Sequence, residues 1–452
     1  MKAFFNPKTV AIIGASKNIK KLGHVIMKNF MDFNFEGEIY PVNPKEKEIL
    51  GKKCYNSVLN IKEKIDLAVV LVPPECSNNV VEQCVKKNIP AVVLITAGYK
   101  ETGAIGITKE LELKRIIKNT KTRVIGPNCI GLFDPYARTD TLFLPDYKLK
   151  RPSQGEIAFI SQSGAFGAAI LDWAATQGIG ISHFVSYGNR VDVDDIDLIE
   201  YFMKDKKTKA ILIYLEGPRQ GRALYDCIKK HSSKKPIIIL KAGKYKSGSN
   251  AAASHTGSLA GSYTVFKSAI TQAGAIEAET SEDMFDYARA LAHQPKPKGK
   301  NVAVITNGGG FGVLSADALE KYGFNLPQFE KQTISKISEI MPGYSTIHNP
   351  LDIVGDADVN RYEVTIKAAL KDKNIDAIIV CILLQTAPLD PDIVDLISSV
   401  NESKKKPMLI VSAGGEYTQI LLKSLENEGI PAYPSPERAV RSLKALLKKS
   451  NN

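Results

Sequence analysis

The stretch Thr9-Val10-Ala11-Ile12-Ile13-Gly14-Ala15-Ser16 decides how this chain is read. Five residues from Thr9 to Ile13, four of them apolar, form a run too short for a helix and suited to a strand buried on both faces. A glycine turn follows at once. Similar runs recur at Glu38 to Val42, Leu67 to Val72, Ala91 to Ile95 and Arg123 to Ile125, with amphipathic helical stretches between them. Strands alternating with helices predict an α/β fold with a doubly wound parallel sheet.

The pattern then repeats. A connector, 133–154, leads to a second block, 155–292, with runs at Ile157 to Ile160, His183 to Val185, Ala210 to Leu215 and Pro236 to Leu240. A helix near Thr280 to Ala292 ends it, and the Pro/Lys-rich stretch 293–300 reads as a linker. The third block, 301–452, carries runs at Val302 to Ile305, Ala377 to Leu383 and Met408 to Ser412. Three doubly wound domains are expected, the first being 1–132. Blocks two and three open alike, as strand, then Ser161-Gln162-Ser163-Gly164 or Thr306-Asn307-Gly308-Gly309-Gly310, then helix.

Composition narrows the function. The chain has 452 residues, 44% hydrophobic and 24% charged, a normal globular balance. No apolar run approaches the ~20 residues of a membrane span. Neither a signal peptide nor a membrane role is expected, and the location expected is cytoplasmic. Six scattered cysteines read as reduced thiols, with no metal site among them. The net charge of +12 fits Lys-rich solvated surface, an anionic ligand or an acidic partner chain. Nucleic acid is not expected, because basic residues do not alternate with aromatics.

The turns at strand ends carry the chemistry. Gly14-Ala15-Ser16 resembles a nucleotide-binding turn, although its spacing departs from G-x-G-x-x-G. After the second strand, where an NAD site would place an acid, the chain has Asn43-Pro44-Lys45. A lysine there suits a phosphorylated ribose, as in CoA or NADP; a turn with a surface lysine is the plainer reading. Ile125-Gly126-Pro127-Asn128 adds a tight turn at the same edge. Ser161, Gln162, Ser163 and Gly164 open a helix and can form an anion site or an ordinary cap. Gly188 and Asn189, in Ser186-Tyr187-Gly188-Asn189, are placed to shape a small pocket. Glu216 follows another strand, where a carboxylate can orient an imidazole. That imidazole is sought in Gly248-Ser249-Asn250-Ala251-Ala252-Ala253-Ser254-His255-Thr256-Gly257-Ser258-Leu259-Ala260-Gly261. Small residues predict an exposed loop here, with His255 either a mobile carrier or incidental.

Taken in order, Gly14-Ala15-Ser16, Asn43-Pro44-Lys45, Ile125 to Asn128, Ser161 to Gly164, Tyr187-Gly188-Asn189, Glu216-Gly217 and Ser254-His255-Thr256-Gly257 resemble the α subunit of ADP-forming acyl-CoA synthetases, relatives of succinyl-CoA synthetase. The resemblance implies a Rossmann-like CoA-binding domain followed by two flavodoxin-like domains. It also implies a reversible conversion of acyl-CoA, ADP and phosphate to acid, CoA and ATP. His255 would carry the phosphoryl group on a swinging loop, Glu216 would steady it, and Ser161 to Gly164 would cradle phosphate. Gly14, Ala15, Ser16, Lys45, Pro127 and Asn128 would hold CoA, and Gly188 and Asn189 the acyl and phosphate groups. The chain carries no G-x-x-x-x-G-K-[ST] loop. ADP or ATP with Mg2+ would therefore sit on a β subunit with an ATP-grasp domain, in an α2β2 assembly. A CoA-binding regulatory protein without catalysis and an NADP-dependent oxidoreductase are the alternatives.

Overall fold

The structure, a computed structural model, describes residues 1–256 and 262–448, with backbone alone at 252–256. It divides into two compact units, Met1–Thr176 with Gly180–Glu277, and Gln177–Ile179 with Ala278–Asn452.

The first unit holds two large sheets, besides a short antiparallel pair at Glu48–Ile49 and Lys52–Lys53. The strands of the first are β1 (Thr9–Ile13), β2 (Glu38–Val42), β3 (Leu67–Val70), β4 (Ala91–Leu94) and β5 (Arg123–Ile125), in the order β2-β1-β3-β4-β5. Every pairing in it is parallel. β3 and β4 are buried along their whole length, which is why they read as unbroken apolar runs. The winding direction reverses between β1 and β3, so a crevice opens at their carboxyl ends.

The second sheet comprises β6 (Gly131–Asp134), β7 (Thr139–Asp140), β8 (Gln154–Ser161), β9 (Ile181–Ser186), β10 (Ala210–Leu215), β11 (Ile237–Lys241) and β12 (Ile276–Ala278). Their order is β12-β11-β10-β8-β9-β6-β7. β8 to β11 run parallel, whereas β6 pairs antiparallel with β9. The stretch expected to be a mere connector, 133–154, thus supplies edge strands. Arg151, half-buried, and the buried Asp140 form an ion pair of 2.8 Å that pins it.

Helices α1 (Gly164–Thr176), α2 (Asp195–Lys204) and α3 (Gly221–His231) follow β8, β9 and β10. α2 starts from a capping box in which Asp194 accepts from Ile196 and Asp197 amides. After β11 comes α4 (Lys246–Thr256). The expected exposed loop is therefore helical up to Thr256, and His255 stands in its last turn. The physical reason is Ala251 to Ala253: alanine is small, but it is also the strongest helix former. His255 beyond its backbone, and the rest of the expected loop at 257–261, lie outside the described residues.

The second unit contains one sheet, β13 (Val302–Thr306), β14 (Leu351–Asp352), β15 (Ala377–Cys381), β16 (Met408–Val411) and β17 (Ala432–Tyr433), in the order β14-β13-β15-β16-β17. This repeats the winding of the first sheet. Helix α5 (Ser281–His293) packs against α6 (Pro436–Leu447) of this unit. Its buried Asp286 accepts from Arg438 Nε at 2.6 Å, and Arg289 reaches Glu426 at 2.5 Å. Among the described residues, no helix is long and apolar enough to cross a membrane.

Candidate active site

Turns at the carboxyl ends of the two large sheets of the first unit converge on a cavity of about 450 Å³. Its wall includes Asn128 after β5, Gln162, Ser163 and Gly164 after β8, and Gly188 and Asn189 after β9. Six residues singled out from three separate turns thus meet in one space.

Backbone geometry holds them there. Gly126 and Asn128 have φ of 103° and 57° on either side of Pro127, whose peptide bond is cis. Asn128 N donates to Thr96 O at 3.1 Å, and Asn189 N donates to Pro127 O at 2.9 Å. Gly188, at φ 53°, lies so close that a Cβ would sit 2.2 Å from Asn128 O. Only glycine permits that approach. Gly164 similarly opens α1 against Ile130, whose Cγ2 a Cβ would meet at 2.7 Å. The buried Ser161 Oγ donates to Ser163 O at 2.6 Å, and Ser163 Oγ accepts from Phe166 N at 3.3 Å. The turn is shaped by its own hydroxyls, and α1 points its amino terminus at the cavity. The first amides of a helix lack intrahelical partners and carry a partial positive charge.

Gln162 links the cavity to the turn after β10. Its Oε1 accepts from Glu216 N at 2.9 Å and from Gly217 N at 3.3 Å. Glu216 is half-buried and does not line the cavity itself. Its carbonyl accepts from Lys241 Nζ at 2.7 Å, and burial pulls the Lys241 ammonium below its ordinary range.

Gly14, Ala15, Ser16 and Lys45 stand one turn away. Gly14 has φ 99°, and a Cβ on it would meet the carbonyl oxygen of Leu71, a cavity-wall residue, at 2.3 Å. Asn43 Nδ2 donates to Ala15 O at 2.8 Å while its Oδ1 accepts from Lys45 N at 2.9 Å. One side chain thereby fastens the turn after β1 to the turn after β2. Lys45 is exposed.

The sequence reading passed over several wall residues. Thr96, Cys129, Ile130 and Phe143 line the cavity. Burial pushes the Cys129 thiol up to about 12, so it is no nucleophile near neutral pH. Glu101 is also new: its Oε2 accepts from Asn189 Nδ2 at 2.6 Å. Burial alone would raise the Glu101 carboxyl, but bonds from Asn189 and the Gly98 and Tyr99 amides bring it below its ordinary value. The turn Lys100–Thr102, of which Glu101 is the middle residue, lies against α4, the helix that bears His255.

Known proteins match the whole chain. A CoA-binding domain model matches residues 8–135, a succinyl-CoA ligase-like flavodoxin domain model matches 154–291, and a ligase-CoA domain model matches 302–450. The α subunit of acetate–CoA ligase [ADP-forming] I of Pyrococcus furiosus is 43% identical over 99% of this chain and 97% of its own length. The acetate–CoA ligase [ADP-forming] of Methanocaldococcus jannaschii is 43% identical over 100% of this chain, which spans 63% of that longer protein. Acetyl-coenzyme A synthetase 1 of Ca. Korarchaeum cryptofilum, solved with phosphate and ADP, superposes with a TM-score of 0.91 at 39% identity, covering 99% of this chain and 96% of that one. The chain belongs to the ADP-forming acetate–CoA ligases, an α/β family of acid–thiol ligases, and corresponds to their α subunit.

Proposed function

We propose that this chain binds an acyl-CoA, with acetyl-CoA the reference substrate, and uses phosphate to release CoA and form an acyl phosphate in the cavity. The observation that carries this reading is the convergence of Asn128, Gln162, Ser163, Gly164, Gly188 and Asn189 on one wall. The space, about 450 Å³, is of the size that takes a small ligand. Phosphate is placed at the amino terminus of α1, where Ser163, Gly164 and the helix dipole offset its charge. A phosphate oxygen attacks the thioester carbonyl, the C–S bond breaks, and CoA leaves as its thiolate. Gly188 and Asn189 shape the part of the pocket that takes the acyl and phosphate groups. The phosphorylated-ribose end of CoA is assigned to Gly14, Ala15, Ser16 and the exposed Lys45, with Pro127 and Asn128 at the other end.

His255 then takes the phosphoryl group. A ring nitrogen forms the N–P bond as the acyl phosphate P–O bond breaks, and the carboxylate leaves with that electron pair. Glu216 is the positioning carboxylate for the ring, its backbone anchored by Gln162. Delivery to ADP requires a second site. We assign it, with Mg2+, to a β subunit bearing an ATP-grasp domain in an α2β2 assembly, located in the cytoplasm. Relatives named as α subunits support a partner. A CoA-binding protein without catalysis is the weaker alternative, because both His255 and Glu216 are present.

The test is acetyl-CoA-dependent ATP formation by the purified chain with and without candidate β chains, together with phosphoryl labelling. The pair should make ATP and put an acid-labile label on the α chain. H255A should abolish the label, and E216Q should slow its formation. Label surviving in H255A would remove that histidine from the mechanism. ATP made by this chain alone would overturn the assignment of the nucleotide site.

A further inference from the structure

Away from the cavity, a second cluster has the chemistry of a metal site. Cys227 and His231 lie four residues apart on α3, so they share one face of that helix. Glu200 meets them from α2, which packs alongside. The Cys227 Sγ, a His231 ring nitrogen and a Glu200 carboxylate oxygen all lie within 4.8 Å of one another. Cys227 is 6% exposed and His231 5%, so both donors are withdrawn from water.

The imidazole is poorly satisfied for so buried a ring. Its Nε2 stands 3.4 Å from Glu200 Oε1, a long contact, and Nδ1 has no hydrogen-bond partner among the described residues. A buried ring held by one long contact is open to a better partner at Nε2. Two ligands of a tetrahedral cation, each at about 2.0–2.1 Å, stand about 3.3 Å apart. The Nε2-to-carboxylate separation of 3.4 Å already matches that span. Nε2 is therefore the nitrogen turned toward Glu200 and the one an ion would take. The competing group is Lys230, whose Nζ is 2.8 Å from the same Glu200 oxygen. Its side chain is 62% exposed, so it can turn into solvent when a cation arrives.

We propose that Glu200, Cys227 and His231 form a site for a zinc-class divalent cation, with water as the fourth ligand. Thiolate and imidazole favour zinc over magnesium or calcium. Binding forms the metal–sulfur bond and releases the thiol proton to solvent, one proton per ion. The ion clamps α2 to α3, the helices that follow the turns bearing Asn189 and Glu216. Cysteine spacing read by itself does not reveal this site, because the second donor is a histidine one helical turn on and the third comes from another helix.

The test uses the full chain carrying Cys76→Ser, which removes the exposed thiol. After chelation and dialysis it is titrated with Co2+ and, separately, Zn2+. The expected result is one equivalent bound, a thiolate-to-cobalt charge-transfer absorption, and about one proton released per ion. C227S should abolish the absorption. H231A and E200Q should each weaken binding by about 10-fold or more, with circular dichroism confirming that they fold. Absence of the absorption in the parent chain would overturn the proposal. So would Zn2+ binding that all three substitutions leave unchanged.

Discussion

Gly188→Ala is the sharpest test of how the cavity is held. The position has φ 53°, in the left-handed region, where a side chain costs about 1 kcal/mol. An added Cβ would lie 2.2 Å from Asn128 O and 2.3 Å from Pro127 O, whereas real Cβ contacts do not fall below 3.0 Å. Relief therefore needs a shift of about 0.8 Å, the difference between 3.0 and 2.2 Å. The two turns are not free to make it. Asn189 N donates to Pro127 O at 2.9 Å and Val191 N to Gly126 O at 3.0 Å. Breaking one of these bonds costs about 1–3 kcal/mol more. The sum is about 2–4 kcal/mol, which urea unfolding resolves as a shift in midpoint at unchanged slope. Gly217→Ala is the control. It has no positive φ and nothing within 4 Å of an added Cβ, so its change should stay within about 0.5 kcal/mol. Assayed with its partner subunit, G188A should also lose acetyl-CoA turnover while G217A keeps it. A G188A chain as stable and as active as G217A would refute the claim that this close approach sets the cavity wall.

Asp286→Ala should destabilise the second unit by about 2–3 kcal/mol, because the buried Arg289 loses one of its two carboxylates and the Arg438 guanidinium loses the carboxylate it bonds at 2.6 and 2.9 Å; denaturant unfolding measures this, and a loss under 1 kcal/mol would contradict it. Alkylation of the native chain at pH 8 should modify Cys76 alone, since Cys76 is exposed while burial holds the Cys84, Cys129 and Cys381 thiols near 12; peptide mapping that finds Cys129 labelled first would be the contrary result. Glu101 has its carboxyl below the ordinary value in the folded state, so its contribution to stability is present above the usual carboxylate range and is lost as pH falls through its folded value. Glu101→Gln should flatten that acid limb, and an unchanged stability-against-pH curve would remove the Asn189–Glu101 bond from the account.

What the sequence makes legible follows from burial. β1, β2, β5 and β10 begin and end where their apolar runs do. A strand covered on both faces leaves an unbroken mark. β14 and β17 are two residues each and leave none. Lys246–Thr256 misleads because glycine, serine and alanine together suit a loop as well as a helix, and only the alanine run favours the helix. Helix α5 is legible as a helix, but its packing is not. Its partners Glu426 and Arg438 are 137 and 152 residues away, and no local pattern encodes such a pairing. The site divides in the same way. Turn residues such as Gly164 and Gly188 announce themselves through glycine at a strand end. Wall residues such as Phe143 and Ile130 are ordinary apolar side chains until the fold brings them together.

The duplicated opening of blocks two and three runs deeper than composition, and it explains where the chemistry resides. Ser161 Oγ donates to Ser163 O at 2.6 Å, and Thr306 Oγ1 donates to Gly308 O at 2.9 Å. Gln162 accepts from Glu216 N at 2.9 Å, and Asn307 accepts from Leu383 N at 2.7 Å. Strand register makes these counterparts: Ser161 pairs with Tyr214 and Thr306 with Cys381, so two residues further on Glu216 corresponds to Leu383. The same hydroxyl-shaped turn, the same amide latch and the same winding are thus built twice. In the second copy the position of the carboxylate holds a leucine, which can neither orient an imidazole nor stabilise a charged ring. Asn307 also donates from Nδ2 to Leu383 O at 3.2 Å and to Thr386 Oγ1 at 3.5 Å, while Gln162 spreads its acceptor over Glu216 and Gly217. The scaffold recurs without the acid, so the phosphoryl-carrier chemistry proposed for this chain belongs to the first copy, and Glu216 is the substitution that separates the two.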